Sequence, residues 1–154
     1  MKQYLAGKIR NVALAGHSSS GKTTLAEALL YKTGYSDRLG KVADGNTVCD
    51  FDPEEIKRKV SVSSTVAPFA WGSTKINLID TPGLFDFEGG MYEGMIAAES
   101  ALITVSARDG VEVGTEKAYE LASLYYQASY LGDCWWLTQY GLSSAQDSTK
   151  TGNM

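Results

Sequence analysis

The run Gly16-His17-Ser18-Ser19-Ser20-Gly21-Lys22-Thr23-Thr24 sets two glycines, a lysine and hydroxyls at a spacing suited to holding the phosphates of a nucleotide. It fits G-x-x-x-x-G-K-[ST], in which backbone N–H groups cradle phosphate oxygens, the lysine reaches the β- and γ-phosphates and the hydroxyl ligates Mg²⁺. The loop has to curl around an anion while the helix behind it aims its N-terminal dipole at the same charge. At ordinary glycine usage the pattern arises by chance in roughly one chain of this length in a few hundred. A second run, Asp80-Thr81-Pro82-Gly83, ends the apolar stretch Lys75-Ile76-Asn77-Leu78-Ile79. A carboxylate at the tip of a buried strand can hold Mg²⁺ through water. Gly83 lets its backbone N–H approach a γ-phosphate with no side chain in the way. Alone, D-x-x-G is usually a plain turn; with the upstream loop it points to nucleoside triphosphate binding.

These residues need elements to position them. Ile9 to Ala15 is a short apolar run and reads as a buried strand. Thr24 to Thr33 repeats apolar residues at Leu25, Ala28 and Leu29, a helical stripe ending at Gly34. Gly40 to Ser61 is charged and lacks apolar periodicity (Asp50, Asp52, Glu54, Glu55, Lys57, Arg58, Lys59), as a solvated loop or a nucleotide-ordered switch segment would be. Ser61 is the candidate ion-sensing hydroxyl there. Val62 to Ala70 and Ser73 to Ile79 read as a strand pair around Trp71-Gly72. Phe87 to Ser100 reads as a helix softened by Gly89, Gly90 and Gly94, either a second switch or a poor surface helix. Ala101 to Val105 is a further buried strand, and Thr115 to Tyr130 carries Ala118, Leu121, Ala122 and Tyr125 on one helical face. The order β-α-β-β-α-β-α predicts a three-layer α/β sandwich with a mainly parallel sheet.

With 154 residues and a formal charge of −4, the chain has the length of one globular domain and no broad basic footprint for DNA or other nucleic acid. Cys49 and Cys134 form no C-x-x-C pair, which suits a reducing, cytoplasmic setting. No secretory leader or membrane-length apolar run is visible. A cytoplasmic monomer is expected.

The chain resembles the GTP-binding domain of translation elongation factor G and its relatives, including the ribosomal protection proteins. The resemblance runs from about Ile9 to Ala122. It is carried by Arg10-Asn11-Val12-Ala13-Leu14-Ala15-Gly16-His17, Gly21-Lys22-Thr23-Thr24, Asn77-Leu78-Ile79-Asp80-Thr81-Pro82-Gly83, Asp86-Phe87 and Ala107-Arg108-Asp109-Gly110-Val111. It implies a P-loop NTPase fold that binds GTP or GDP with Mg²⁺, cleaves the γ-phosphate of GTP and acts on the ribosome. On that footing Lys22 neutralises β/γ-phosphate charge and Thr23 ligates the ion. Ser61 falls where the family carries its ion-sensing threonine, Asp80 would hold the ion through water, and Gly83 would bind the γ-phosphate.

Three departures stand out. Leu84 occupies the place of the family's water-positioning histidine, so chemistry should be slow unless another group substitutes. His17, the only histidine, corresponds to a loop histidine instead. Ser19 stands where the family commonly has an aspartate and brings no negative charge. No N-K-x-D occurs, so the residues that read guanine are missing. Residues 1–124 are therefore read as a partial GTP-binding domain, incomplete at its C-terminal end, and 125–154 as an unmatched tail. That tail, with Tyr125, Tyr126, Tyr130, Trp135 and Trp136, has three readings: a frameshifted foreign sequence, which is preferred, a divergent segment packing its tryptophans over the sheet edge, or an interaction tail. The first predicts an unprotected sheet edge. Ser143-Ser144-Ala145 is set aside as a chance echo of the family's base-contact loop. A non-hydrolysing nucleotide switch and a non-functional fragment are the alternatives to a working GTPase.

Overall fold

The structure, a computed structural model, describes residues 3–126, 135–138 and 141–144. Its frame is one sheet in the order β2-β3-β1-β4-β5-β6. The strands are β1 (Ile9–Gly16), β2 (Thr65–Trp71), β3 (Thr74–Asp80), β4 (Ser100–Val105), β5 (Trp135–Thr138) and β6 (Gly141–Ser144). The pairs β1–β3, β1–β4 and β4–β5 are parallel, whereas β2–β3 and β5–β6 are antiparallel. The sheet is thus mainly parallel, as expected.

Helices cover both faces. On one side α1 (Lys22–Lys32) packs its Ala26 and Leu30 with Leu14, Ala67, Phe69 and Leu78. On the other, α3 (Glu88–Ala97) and α4 (Val113–Tyr126) bring Met91, Met95, Ala118, Leu121 and Ala122 onto Ala13, Ala15, Ala101 and Ile103. Alternation along β1 supplies both layers, with Leu14 facing one way and Ala13 and Ala15 the other. A short fourth helix, α2 (Pro53–Arg58), lies in the charged segment before β2.

Register puts the chemistry at one edge. Leu14 pairs with Asp80 and Gly16 with Thr104, so β1 and β3 deliver the phosphate loop and the acidic tip to the same end of the sheet. Parallel α/β sheets bind ligands beyond such carboxyl ends. Thr81, fully buried, continues the tie past β3: its N–H and its hydroxyl both donate to Leu14 O, at 3.2 and 2.8 Å.

Several expectations need adjustment. The α1 stripe is rotated from Leu25, Ala28 and Leu29: Ala28 is exposed, Leu25 and Leu29 are partly buried, and Lys22, Ala26, Glu27 and Leu30 face inward. Two of the three glycines in α3 have a packing reason. A Cβ on Gly90 would come within 2.7 Å of the Pro82 ring and one on Gly94 within 2.5 Å of the Thr81 methyl, whereas Gly89 faces open space. Beyond β4 the sheet continues, since Trp135–Thr138 pairs with Leu102–Val105. Cys134, the stretch Gln127 to Tyr130 and the residues after Ser144 lie outside the described residues.

Candidate functional site

Backbone geometry bends the loop after β1 around a cradle. Gly16 has φ +139°, and a Cβ there would strike the Thr104 carbonyl oxygen, so β4 and the loop approach as closely as a glycine permits. Gly21 (φ +94°) is the N-cap of α1 in the left-handed region. Ser19 is left-handed as well, at φ +62°, which is uncommon for a residue with a side chain.

The loop side chains divide between cleft and core. Ser18, Ser19, Lys22, Thr23 and Thr24 line the cleft. Ser20 turns inward: its hydroxyl donates to His17 O at 2.7 Å and shares a 2.6 Å hydrogen bond with the Thr104 hydroxyl. The His17 ring faces the start of α4, where Nδ1 accepts from Gly114 N at 3.3 Å and Nε2 lies 3.4 Å from Glu112 Oε1. His17 therefore offers the cradle its backbone, and its carbonyl accepts from Lys22 Nζ at 2.7 Å.

The Lys22 ammonium also donates to Gly16 O at 3.1 Å. Gly83 closes over it, because a Cβ on Gly83 would collide with Lys22 Nζ and lie 2.8 Å from Ser18 N. The glycine of the second run is thus seated against the lysine of the first. Leu84 extends the same wall and also faces a small apolar hollow lined by Pro82, Phe85 and Met91.

Four oxygen-bearing side chains stand in line beside this lysine. Thr23 Oγ1 donates to Asp80 Oδ2 at 2.8 Å and lies 3.2 Å from Ser61 Oγ, which in turn donates to Asp50 Oδ1 at 2.7 Å. Asp80 is 1% exposed, and its Oδ1 has no hydrogen-bond partner. A buried acceptor without a partner is rare and marks a place where a donor or cation belongs. Burial pushes the Asp80 carboxyl up to about 7, against the pull of the Thr23 hydrogen bond and the Lys22 charge. Burial likewise brings Lys22 down to about 8, against the attraction of Asp80 and Asp50. Each charge is too poorly solvated for the other to compensate.

A hard-oxygen set of hydroxyls and carboxylates with a free buried oxygen fits Mg²⁺. Among the described residues no group of three or more His, Cys, Asp or Glu is arranged to hold a metal. An ion here would depend on few protein oxygens and on its ligand's phosphates, as Mg²⁺ sites commonly do. Together the walls enclose a cleft of about 250 Å³.

Sequence reasoning passed over the residues that hold the charged segment in place. Glu27 of α1, 1% exposed, accepts from Val48 N at 2.6 Å and Cys49 N at 3.2 Å. Glu55 Oε1 accepts from Val62 N and Ser63 N at 2.9 and 3.1 Å, flanking Ser61. Asp50, its carboxyl raised by burial, holds the Ser61 hydroxyl. The helix that carries Glu55 had a readable signal: Asp52-Pro53-Glu54-Glu55 is a capping box, with Asp52 Oδ1 accepting from Glu54 N and Glu55 Oε2 accepting from Asp52 N.

Residues 7–128 match the family described as the elongation factor Tu GTP binding domain. Over 117 residues the chain is 45% identical to an elongation factor G-like protein of Mycobacterium tuberculosis, covering 76% of this chain and 16% of that protein. It is 39% identical over 108 residues to the tetracycline resistance protein TetM of Enterococcus faecalis, covering 70% of this chain and 17% of the other. A crystal structure of a Thermus thermophilus protein superposes with a TM-score of 0.75 at 46% identity, over 77% of this chain and 18% of that one. The chain thus spans less than a fifth of the length of each of these relatives.

Proposed function

The chain belongs to the elongation factor Tu GTP-binding domain family, and from that premise we propose that it binds Mg²⁺·GTP in the cleft between Lys22 and Ser61 and cleaves its γ-phosphate. The observation that carries this reading is the line Asp50–Ser61–Thr23–Asp80 beside Lys22, which ends in an unpartnered Asp80 oxygen. Lys22 offers its ammonium to the β- and γ-phosphates in place of the loop carbonyls it now contacts. The N–H groups of the loop and of Gly83 add fixed dipoles around the same oxygens. Thr23, Ser61 and Asp80 would hold Mg²⁺, which would supply charge neutralisation when bound. Ser61 senses the ion from the segment between α1 and β2, and Glu27 and Glu55 hold that segment ready. Similarity to elongation factors supports a role in protein synthesis in the cytoplasm, with the ribosome as partner.

A second reading is a switch that binds GTP and GDP without useful hydrolysis. Leu84 favours it, because an aliphatic side chain on the wall over the phosphate loop cannot orient an attacking water.

The deciding experiment is titration of the purified chain with GTP, GDP and ATP, with and without Mg²⁺, alongside Lys22→Ala. Mg²⁺-dependent, GTP-preferring binding that Lys22→Ala lowers by roughly 100-fold or more is the expected outcome. Full affinity in Lys22→Ala would overturn the site. Single-turnover phosphate release then separates a GTPase from a silent switch.

A further inference from the structure

We infer that Lys59 is a second phosphate-binding cation in this cleft, contributed by the segment before β2 and set to contact the terminal phosphate of a nucleoside triphosphate. The inference rests on the triphosphate reading above. Among the residues lining the cleft only Lys22 and Lys59 are cations. Lys22 belongs to the phosphate loop. Outside the phosphate loop and α1 the lining besides Lys59 is Val42, Val60 and Leu84, which are apolar, Gly83, the acidic Asp50 and the Ser61 hydroxyl. Without Lys59 these residues would present a carboxylate, a hydroxyl and hydrocarbon to a polyanion.

Two further observations favour a ligand-directed lysine over an incidental one. Lys59 caps α2 in the left-handed region at φ +57°, where glycine would fit without strain. Among the described residues the only other non-glycine with positive φ is Ser19, which lines the same cleft from the phosphate loop. Backbone strain of this kind clusters at ligand clamps. The Lys59 ammonium also has no hydrogen-bond or ion-pair partner among the described residues, whereas the neighbouring Arg58 is paired with Glu54. An unpaired cation lining the phosphate cleft, two positions from Ser61, is placed to respond to the extra phosphate that separates GTP from GDP.

The test compares Lys59→Gly, Lys59→Met and Lys59→Arg with Lys57→Met, a nearby exposed control, by titration with GTP and GDP at several salt concentrations. Glycine relieves the left-handed strain while removing the charge, so Lys59→Gly should unfold at or above the temperature of the unsubstituted chain. GTP affinity is expected to fall about tenfold in Lys59→Gly and Lys59→Met, while GDP affinity changes less than about twofold and the salt dependence of GTP binding becomes shallower. Lys59→Arg and Lys57→Met should retain the GTP preference. An unchanged GTP affinity in Lys59→Gly, or equal losses for GTP and GDP, overturns the assignment of Lys59 alone if Lys22→Ala still abolishes binding. Failure of the unsubstituted chain to bind any triphosphate overturns both readings.

Discussion

Thr23 and Asp80, 57 positions apart, are joined by a 2.8 Å hydrogen bond from the threonine hydroxyl to Asp80 Oδ2. The bond ties the first turn of α1 to the tip of β3 and uses one carboxylate oxygen, leaving Oδ1 buried and unpartnered. It holds the two runs read from the sequence as parts of one site. It also aligns a hydroxyl and a carboxylate with a spare oxygen, an arrangement that is costly unless a cation or a proton completes it.

That cost has a pH dependence of definite sign. The Asp80 carboxyl is raised from 3.8 to about 7, so between these values the folded chain keeps a proton that the unfolded chain releases. Stability from this group is full below about pH 4 and lost as pH rises through about 7. With Mg²⁺ and nucleotide removed, the unfolding temperature should fall from pH 5 to pH 8, by the equivalent of roughly 2–4 kcal/mol. Asp80→Asn, whose amide oxygen can still accept from Thr23, should flatten the curve and lose Mg²⁺ dependence of nucleotide binding. Lys22 acts in the other direction, its stability being lost as pH falls through about 8, whereas Asp50, also raised by burial, acts with the same sign as Asp80, so the difference between the two proteins isolates Asp80. Identical slopes in both proteins would show that Asp80 does not titrate there.

The segment before β2 should loosen when its anchor on α1 is cut. Glu27→Ala leaves the Val48 and Cys49 amides without their carboxylate acceptor, at a cost of about 2 kcal/mol. Amide exchange at these two positions should accelerate, and Mg²⁺·GTP affinity should drop more than GDP affinity. Glu27→Gln keeps an acceptor and should preserve most of both. Unchanged exchange in Glu27→Ala would mean that the segment is held by its own contacts alone.

The parts of the site legible in the sequence are those whose chemistry depends on local spacing. Gly16 to Thr23 and Asp80 to Gly83 present backbone amides, a lysine and oxygens at fixed intervals, and apolar runs announce the strands that carry them. What was not legible depends on charged residues used inside the fold. Lys22 and Glu27 lie on the inner face of α1, so its apolar stripe alone gave a rotated face. The segment from Gly40 to Ser61 is ordered by Glu27, Asp50 and Glu55 through hydrogen bonds, so it has no apolar periodicity to read. The glycines of α3 are indistinguishable from helix-weakening ones until Thr81 and Pro82 are placed against them.

Two similar substitutions in α3 should have effects of opposite sign. Alanine favours a helix over glycine by up to about 1 kcal/mol per position. At Gly89, where an added Cβ meets nothing within 4 Å, alanine should raise the unfolding temperature. At Gly94 the Cβ would press on the Thr81 methyl and lie 3.3 Å from an Ile79 methyl, beside the strand tip that carries Asp80. Overpacking of this kind costs about 1–3 kcal/mol and should outweigh the helix gain. Thermal unfolding of the two variants decides the matter, and stabilisation by Gly94→Ala would show that α3 is not packed as described.

Leu84→His tests whether the missing polar group limits the chemistry. Leu84 follows Gly83, which lies against Lys22, and its backbone is extended (φ −89°, ψ 143°) as it enters a short 3₁₀ turn at Phe85–Phe87. A histidine there shares the wall over the phosphate loop and has the apolar hollow of Pro82, Phe85 and Met91 beside it. Near pH 8 it would be neutral and able to accept a proton from water, and positioned general bases contribute about 10²–10⁴-fold. Single-turnover GTP cleavage should therefore rise at least about tenfold in Leu84→His, with GTP affinity nearly unchanged because the group acts on the water and not on the phosphates. The gain should fade below about pH 6.5 as the imidazole takes up a proton. A folded variant that binds GTP and shows no gain would place the obstacle to hydrolysis elsewhere, in the charge around the γ-phosphate and not in the orientation of water.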